Sequence, residues 1–208
     1  MDIKKSKEEF LELLRSTGRD GVEDLISGLE DMGFFEAPAS ANHHLNTEGG
    51  LVQHSVNTCK AALAVWEGMK ALEPGLKNEV ERDSVIIASL LHDVCKSDIY
   101  VRSVRKRKNA LGMWEDNEGY KVTYRNFPMG HGEKSVILLL CNGLEMTDAE
   151  MLAIRWHMGA WGINMNSLED QRSYDASRML YPLVAIVQAA DSLAASIMER
   201  SGEEQDEL

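Results

Sequence analysis

Two segments of the chain are apolar on nearly every side at helical spacing, and each carries a carboxylate. Val85, Ile86, Ile87, Ala88, Leu90, Leu91 and Val94 surround the adjacent pair His92 and Asp93, and the run from Leu183 to Ala195 surrounds Asp191. A helix without a polar face is normally enclosed by others, so both segments are expected at the centre of a helical domain. An unpaired carboxylate there carries a desolvation penalty of several kcal/mol. Lysine and arginine are nearly absent from the two segments, whereas His54 occupies a third core-type helix after Gly49-Gly50-Leu51-Val52-Gln53. A divalent metal is the simplest partner. Two imidazoles and two carboxylates form a mixed nitrogen and oxygen shell suited to iron, manganese, cobalt, nickel or zinc, and poorly suited to calcium.

At 208 residues the chain is long enough for one substantial core, and a single domain is expected. The formal charge of -12 repels nucleic acid and anionic membranes unless basic residues gather locally. Residues 1–10 are charged rather than apolar and no apolar run approaches bilayer length, so the expectation is a cytoplasmic protein without a membrane segment. Cys59, Cys95 and Cys141, each in or beside an apolar run, are expected as buried free thiols. No oligomeric state is legible.

The periodicity predicts two short amphipathic helices before Gly33, an ordered loop over Phe34 to Gly50, and a long helix from about Leu51 to Leu72 that Pro74 and Gly75 break. Between Asp98 and Phe127 the helical period is lost. Tyr120, Val122 and Tyr124 alternate with Lys121, Thr123 and Arg125 after the turn-like run Glu115 to Gly119, which predicts an inserted β-hairpin. Further helices are predicted over His131 to Cys141, Thr147 to Trp161 and Tyr174 to Arg200, with Thr147 and Glu150 in a capping-box pattern. The fold class is therefore all-α. The expected organisation is an N-terminal helical extension over 1–33, a main domain over 34–200 with its hairpin at about 99–127, and a frayed acidic tail over 201–208.

Only six histidines are present, and His54, His92, His131 and His157 fall in or at the start of separate predicted helices. The order His54, then His92-Asp93, then Asp191 resembles the HD superfamily of metal-dependent phosphohydrolases. Gly-Gly-Leu-Val-Gln-His-Ser at 49–55 and Leu-Leu-His-Asp-Val-Cys-Lys at 90–96 are typical of its wording, and the resemblance runs from Ala41 to Met198. It implies a helical bundle in which His54, His92, Asp93 and Asp191 hold a first metal. In members with two ions the Asp of the pair bridges them, and His131 and His157 stand where further ligands would be. Several such members end on adjacent histidines, whereas this chain has His157-Met158. The second site therefore stays open, with phosphate contact as the other role for His131 and His157.

The activity this implies is hydrolysis of a nucleotide or related phosphoester by metal-activated water, with Asp93 and Lys96 catalytic. Lys96 lies four residues after His92 and on a helix would share its face, within reach of a phosphate oxygen; the other reading is a lysine complementing a helix C-terminus. His43 and His44 stand in Pro-Ala-Ser-Ala-Asn-His-His, similar to a stretch of bacterial exoribonucleases that end in an HD domain, and could line the active-site mouth or be a solvated pair. Arg102, Arg105, Lys106, Arg107 and Lys108 form the only dense basic run, either a strip for substrate or short nucleic-acid phosphates or a solvated face. Trp156, Trp161, Met146, Met151 and Met158 are expected in the core. The competing functions are a non-catalytic regulatory module that binds nucleotide or metal, and a 3'-to-5' exonuclease-like activity on short RNA.

Overall fold

A computed structural model describes residues 2–108 and 112–200, without the side chains of Arg105 and Arg107. The described elements run α1 (Ile3–Arg15), α2 (Val22–Asp31), α3 (Gly50–Leu72), α4 (Arg82–Leu91), β1 (Tyr100–Lys108), β2 (Trp114–Val122), α5 (His131–Cys141), α6 (Asp148–Trp156), α7 (Leu168–Leu180) and α8 (Pro182–Leu193). The protein is helical with one small antiparallel sheet. α3 packs on α4 and α8, and α6 packs on α4, α5 and α8, so the two apolar helices lie in the middle.

Every residue from Ser84 to Leu91 of α4 is buried. The helix nevertheless stops before the His-Asp pair: Leu91 is its last residue, His92 caps it at φ -55° and ψ -33°, and Asp93 turns away at φ -109° and ψ 17°. A 3-10 turn over Val94–Ser97 follows. The expectation that both residues lie inside the helix is corrected accordingly, and Lys96 sits on the turn rather than on a shared helical face.

The helix expected over Tyr174 to Arg200 is two helices. Pro182 opens α8, and Tyr181 before it is extended at φ -131°, because a proline ring disfavours helical backbone in the residue ahead of it. The two axes bend by 102°. α6 starts on the expected capping box at Thr147 but ends at Trp156, and Gly159 at φ 55° turns the chain into a short 3-10 segment. Gly132 on α5 permits a close helix approach: a Cβ there would lie 2.2 Å from the carbonyl oxygen of Arg155.

The hairpin pairs Tyr100 with Val122 and Lys108 with Trp114. Glu115 to Gly119, expected as the turn, lie inside β2, where the register runs from Arg107 opposite Glu115 to Ser103 opposite Gly119. Buried Lys134 of α5 anchors its base, donating to Asp98 Oδ1 at 2.5 Å and to the Asn126 carbonyl at 3.1 Å. At the N-terminus Phe10, Leu14, Leu25 and Leu29 join the same core as α3 and α4. Arg19 locks that region to α6 through two hydrogen bonds to buried Glu150, at 2.7 and 2.8 Å. Cys59 and Cys95 are buried free thiols, but Cys141 is exposed. No single helix among the described residues is long and apolar enough to cross a membrane.

Candidate metal centre

α3 supplies His54, the end of α4 supplies His92 and Asp93, and α8 supplies Asp191. His54 Nε2 lies 3.2 Å from His92 Nε2, 3.1 Å from Asp191 Oδ1 and 3.5 Å from Asp93 Oδ2. His92 Nε2 is 3.3 Å from Asp93 Oδ2 and 3.7 Å from Asp191 Oδ1. The four expected ligands therefore converge on one point. The other oxygen of Asp93 faces a second pair, with His131 Nε2 at 2.6 Å and His157 Nε2 at 3.4 Å from Oδ1. The turn after α4 also carries Lys96 back, so that its Nζ lies 2.7 Å from Asp93 Oδ2.

Second partners set the direction of three rings. His92 Nδ1 donates to the Ser89 carbonyl at 2.8 Å, and His157 Nδ1 donates to the Ile154 carbonyl at 2.7 Å. His54 Nδ1 donates to the carboxylate of Glu199, with both oxygens at 3.0 Å. A carbonyl or carboxylate oxygen only accepts, so in each ring Nδ1 carries a proton and Nε2 is turned inward. The Nε2 of His157 is buried with no hydrogen-bond partner, a lone pair in need of a cation.

Charge balance points the same way. Burial opposes ionisation of Asp93, yet Lys96, His92 and His131 hold it far below the usual carboxylate range, and Asp191 is depressed beside His54 and His92. Burial works against protonating His54, but Asp191 and Glu199 outweigh it and raise that imidazole to about 9; Asp93 does the same for His131, also to about 9. Lys96, desolvated but paired with Asp93, is held firmly cationic. Three carboxylates thus meet Lys96 and two imidazolium rings. A divalent ion that took the place of the His54 ring proton would sit among carboxylates that already attract positive charge, so the donor set fits a metal.

The cluster opens on a cavity of about 790 Å³ lined by His44, Asp93, Lys96, His157, Met158, Trp161, Arg178, Gln188 and Asp191, with small residues of α8 along one side. Asp191 is 22% exposed at its edge. Trp161, expected in the core, is 90% exposed at the cavity rim, because the break at Gly159 lifts it off α6; Met158 stands beside it, whereas Trp156 is buried. Of the loop pair, His44 reaches the cavity, its ring 5.2 Å from the His54 ring and tilted by 42° to it. His43 is exposed and meets Ser40 only through its backbone N–H. Arg102 pairs with Glu48 over a separate cleft that includes Asn46 and Tyr120, and the side chain of Arg105 lies outside the described residues. Sequence reasoning missed Glu199 and its neighbour Asn57, and no signal in the residue pattern pointed to either.

The HD domain family matches residues 51–196, and the chain belongs to that family. The dihydroneopterin 2',3'-cyclic phosphate phosphodiesterase of Methanocaldococcus jannaschii is 37% identical over 101 residues, which cover 49% of this chain and 37% of that protein. The match thus spans little more than a third of the relative's length. No solved structure matches the chain significantly.

Proposed function

We propose that the chain hydrolyses the phosphoester bond of a small phosphorylated molecule, a nucleotide or related heterocyclic phosphodiester, at a divalent transition metal held by His54, His92, Asp93 and Asp191. The observation that carries this reading is the division of Asp93, with Oδ2 toward His54, His92 and Lys96 and Oδ1 toward His131 and His157. A bound divalent ion supplies an acidified water and a counter-charge for a phosphoryl oxygen. Lys96, cationic and lining the cavity, donates to a phosphoryl oxygen as negative charge builds there. Asp93 Oδ1 with the inward Nε2 atoms of His131 and His157 forms a second donor set, and we assign it a second ion. The added positive charge suits a phosphate ligand.

The cavity volume is that of a small-molecule site. Exposed Trp161 on one side and Ala185, Ala189 and Ser192 on the other leave room for a planar ring. The relative's dihydroneopterin 2',3'-cyclic phosphate is a ligand of this kind. The register sets basic residues of β1 opposite acidic residues of β2, which weakens the case for a polynucleotide strip there.

The test is metal analysis of the purified protein coupled to turnover on 2',3'-cyclic and 3',5'-cyclic nucleotides, nucleoside mono- and triphosphates, cyclic dinucleotides and short RNA. Bound transition metal with turnover of a small phosphodiester is the expected result. Metal-replete protein that is idle on every substrate would make the chain a non-catalytic binding module.

A further inference from the structure

We infer that Glu199 is a positioning residue of the metal centre: its carboxylate, held by Asn57, accepts the Nδ1 proton of His54 and fixes that ring with Nε2 turned to the ion. The inference rests on the metal reading above. It concerns a residue three positions beyond the last one the family matches.

Glu199 is an acidic side chain only 7% exposed, held by two hydrogen-bond partners, with His44 Nε2 3.8 Å from its Oε2. His54 Nδ1 lies 3.0 Å from both of its oxygens, and Asn57 Nδ2 donates to Oε1 at 2.9 Å. Asn57 is itself oriented, because its carbonyl oxygen accepts from Gln53 Nε2 at 2.9 Å and Gln53 Oε1 accepts from Ser6 Oγ at 2.7 Å. A directional chain of hydrogen bonds thus runs from α1 through two amides of α3 and ends on Glu199, to which His54 donates from the other side. Its order leaves Asn57 only its N–H group to offer the carboxylate.

The backbone explains how Glu199 arrives there. Eight residues at 3.6 per turn would leave it about 80° past Asp191 around the helix axis. After Leu193 the helix widens into a π-turn over Ala194–Met198, which advances less per residue and brings Glu199 back toward the face that carries Asp191. π-bulges are frequent at functional sites. His54 is then held from both edges by one strand of chain, Asp191 at Nε2 and Glu199 at Nδ1. His92 and His157 have only backbone carbonyls in the corresponding place. A carboxylate acceptor makes an imidazole the more basic ligand, and removing such a partner typically costs 10- to 100-fold in metal affinity.

The test is titration of the metal-free protein with Co²⁺, read from its visible absorption, for wild type, Glu199→Ala and Glu199→Gln, with melting of each metal-free protein alongside. Glu199→Ala is expected to weaken Co²⁺ binding by about 10- to 100-fold and to change the band shape. Glu199→Gln, which keeps an acceptor oxygen but no charge, is expected to lose about three- to tenfold. Either variant binding within twofold of wild type, with only its melting temperature lowered, overturns the inference, as does an equal loss in the two. Should the alanine variant fail to fold, the glutamine variant decides alone. Wild-type protein that takes up no Co²⁺ is a different result, because it removes the metal reading itself.

Discussion

Asp93 sits where α4 gives way to a 3-10 turn, and that change of backbone lets its two oxygens face different histidines. Replacing one oxygen by an amide keeps the shape and removes the charge. Because outer partners of a metal typically contribute 10- to 100-fold in affinity, Asp93→Asn is expected to lower affinity and turnover by more than about 100-fold, with metal content and initial rates as the measurements. A second expectation concerns pH. His54 and His131 are raised from 6.5 to about 9 in the folded protein. The stability their protons contribute is complete below about 6.5 and is lost as pH climbs through 9. The depressed carboxylates are ionised in folded and unfolded chains throughout that window. Metal-free protein should therefore melt several degrees lower at pH 9 than at pH 6.5, whereas metal-loaded protein, with the ion in place of the protons, should change far less. Melting curves of both forms check this, and a metal-free melting temperature that rises with pH would contradict it.

The elements were legible wherever one periodicity ran unbroken. α3, α5 and the capping box of α6 stand where apolar spacing and local chemistry set them. The errors share one origin, a backbone event without a hydrophobic signature. Pro182 divides a continuous apolar pattern without disturbing its spacing, and the turn at Asp93 follows a fully apolar helix. In the hairpin, the turn-forming composition of Glu115 to Gly119 falls inside β2, opposite Arg107 to Ser103. Two ion pairs fix elements to one another. Arg19→Ala would strand the buried carboxylate of Glu150, and a loss of about 3–5 kcal/mol in urea unfolding is expected. Lys134→Met removes the anchor of the hairpin at Asp98 and Asn126. Amide exchange in β1 and β2 is expected to accelerate at least about tenfold while exchange in α4 is unchanged.

Across the whole molecule, five separated segments converge on one cluster: His54 from α3, the His92-Asp93 turn, His131 from α5, His157 after α6, and Asp191 of α8. The convergence of His54, His92, Asp93 and Asp191 could be read from the chain, because an aspartate within an apolar run poses a charge problem that the order of residues alone displays. Glu199 could not, since a glutamate near a charged terminus looks like solvated surface until the π-turn buries it. Nor could Trp161, whose exposure depends on Gly159 ending α6 early. Arg102 stands apart from the cluster, and the sequence displays its charge but not its partner Glu48.

The most direct test strips the protein of metal, titrates a transition ion back, and follows hydrolysis of a 2',3'-cyclic nucleotide by wild type beside Asp93→Asn. Turnover that vanishes on stripping, returns with the added ion in wild type and stays absent in Asp93→Asn is the expected result. Full turnover by protein with no measurable metal, or by Asp93→Asn, would contradict the account.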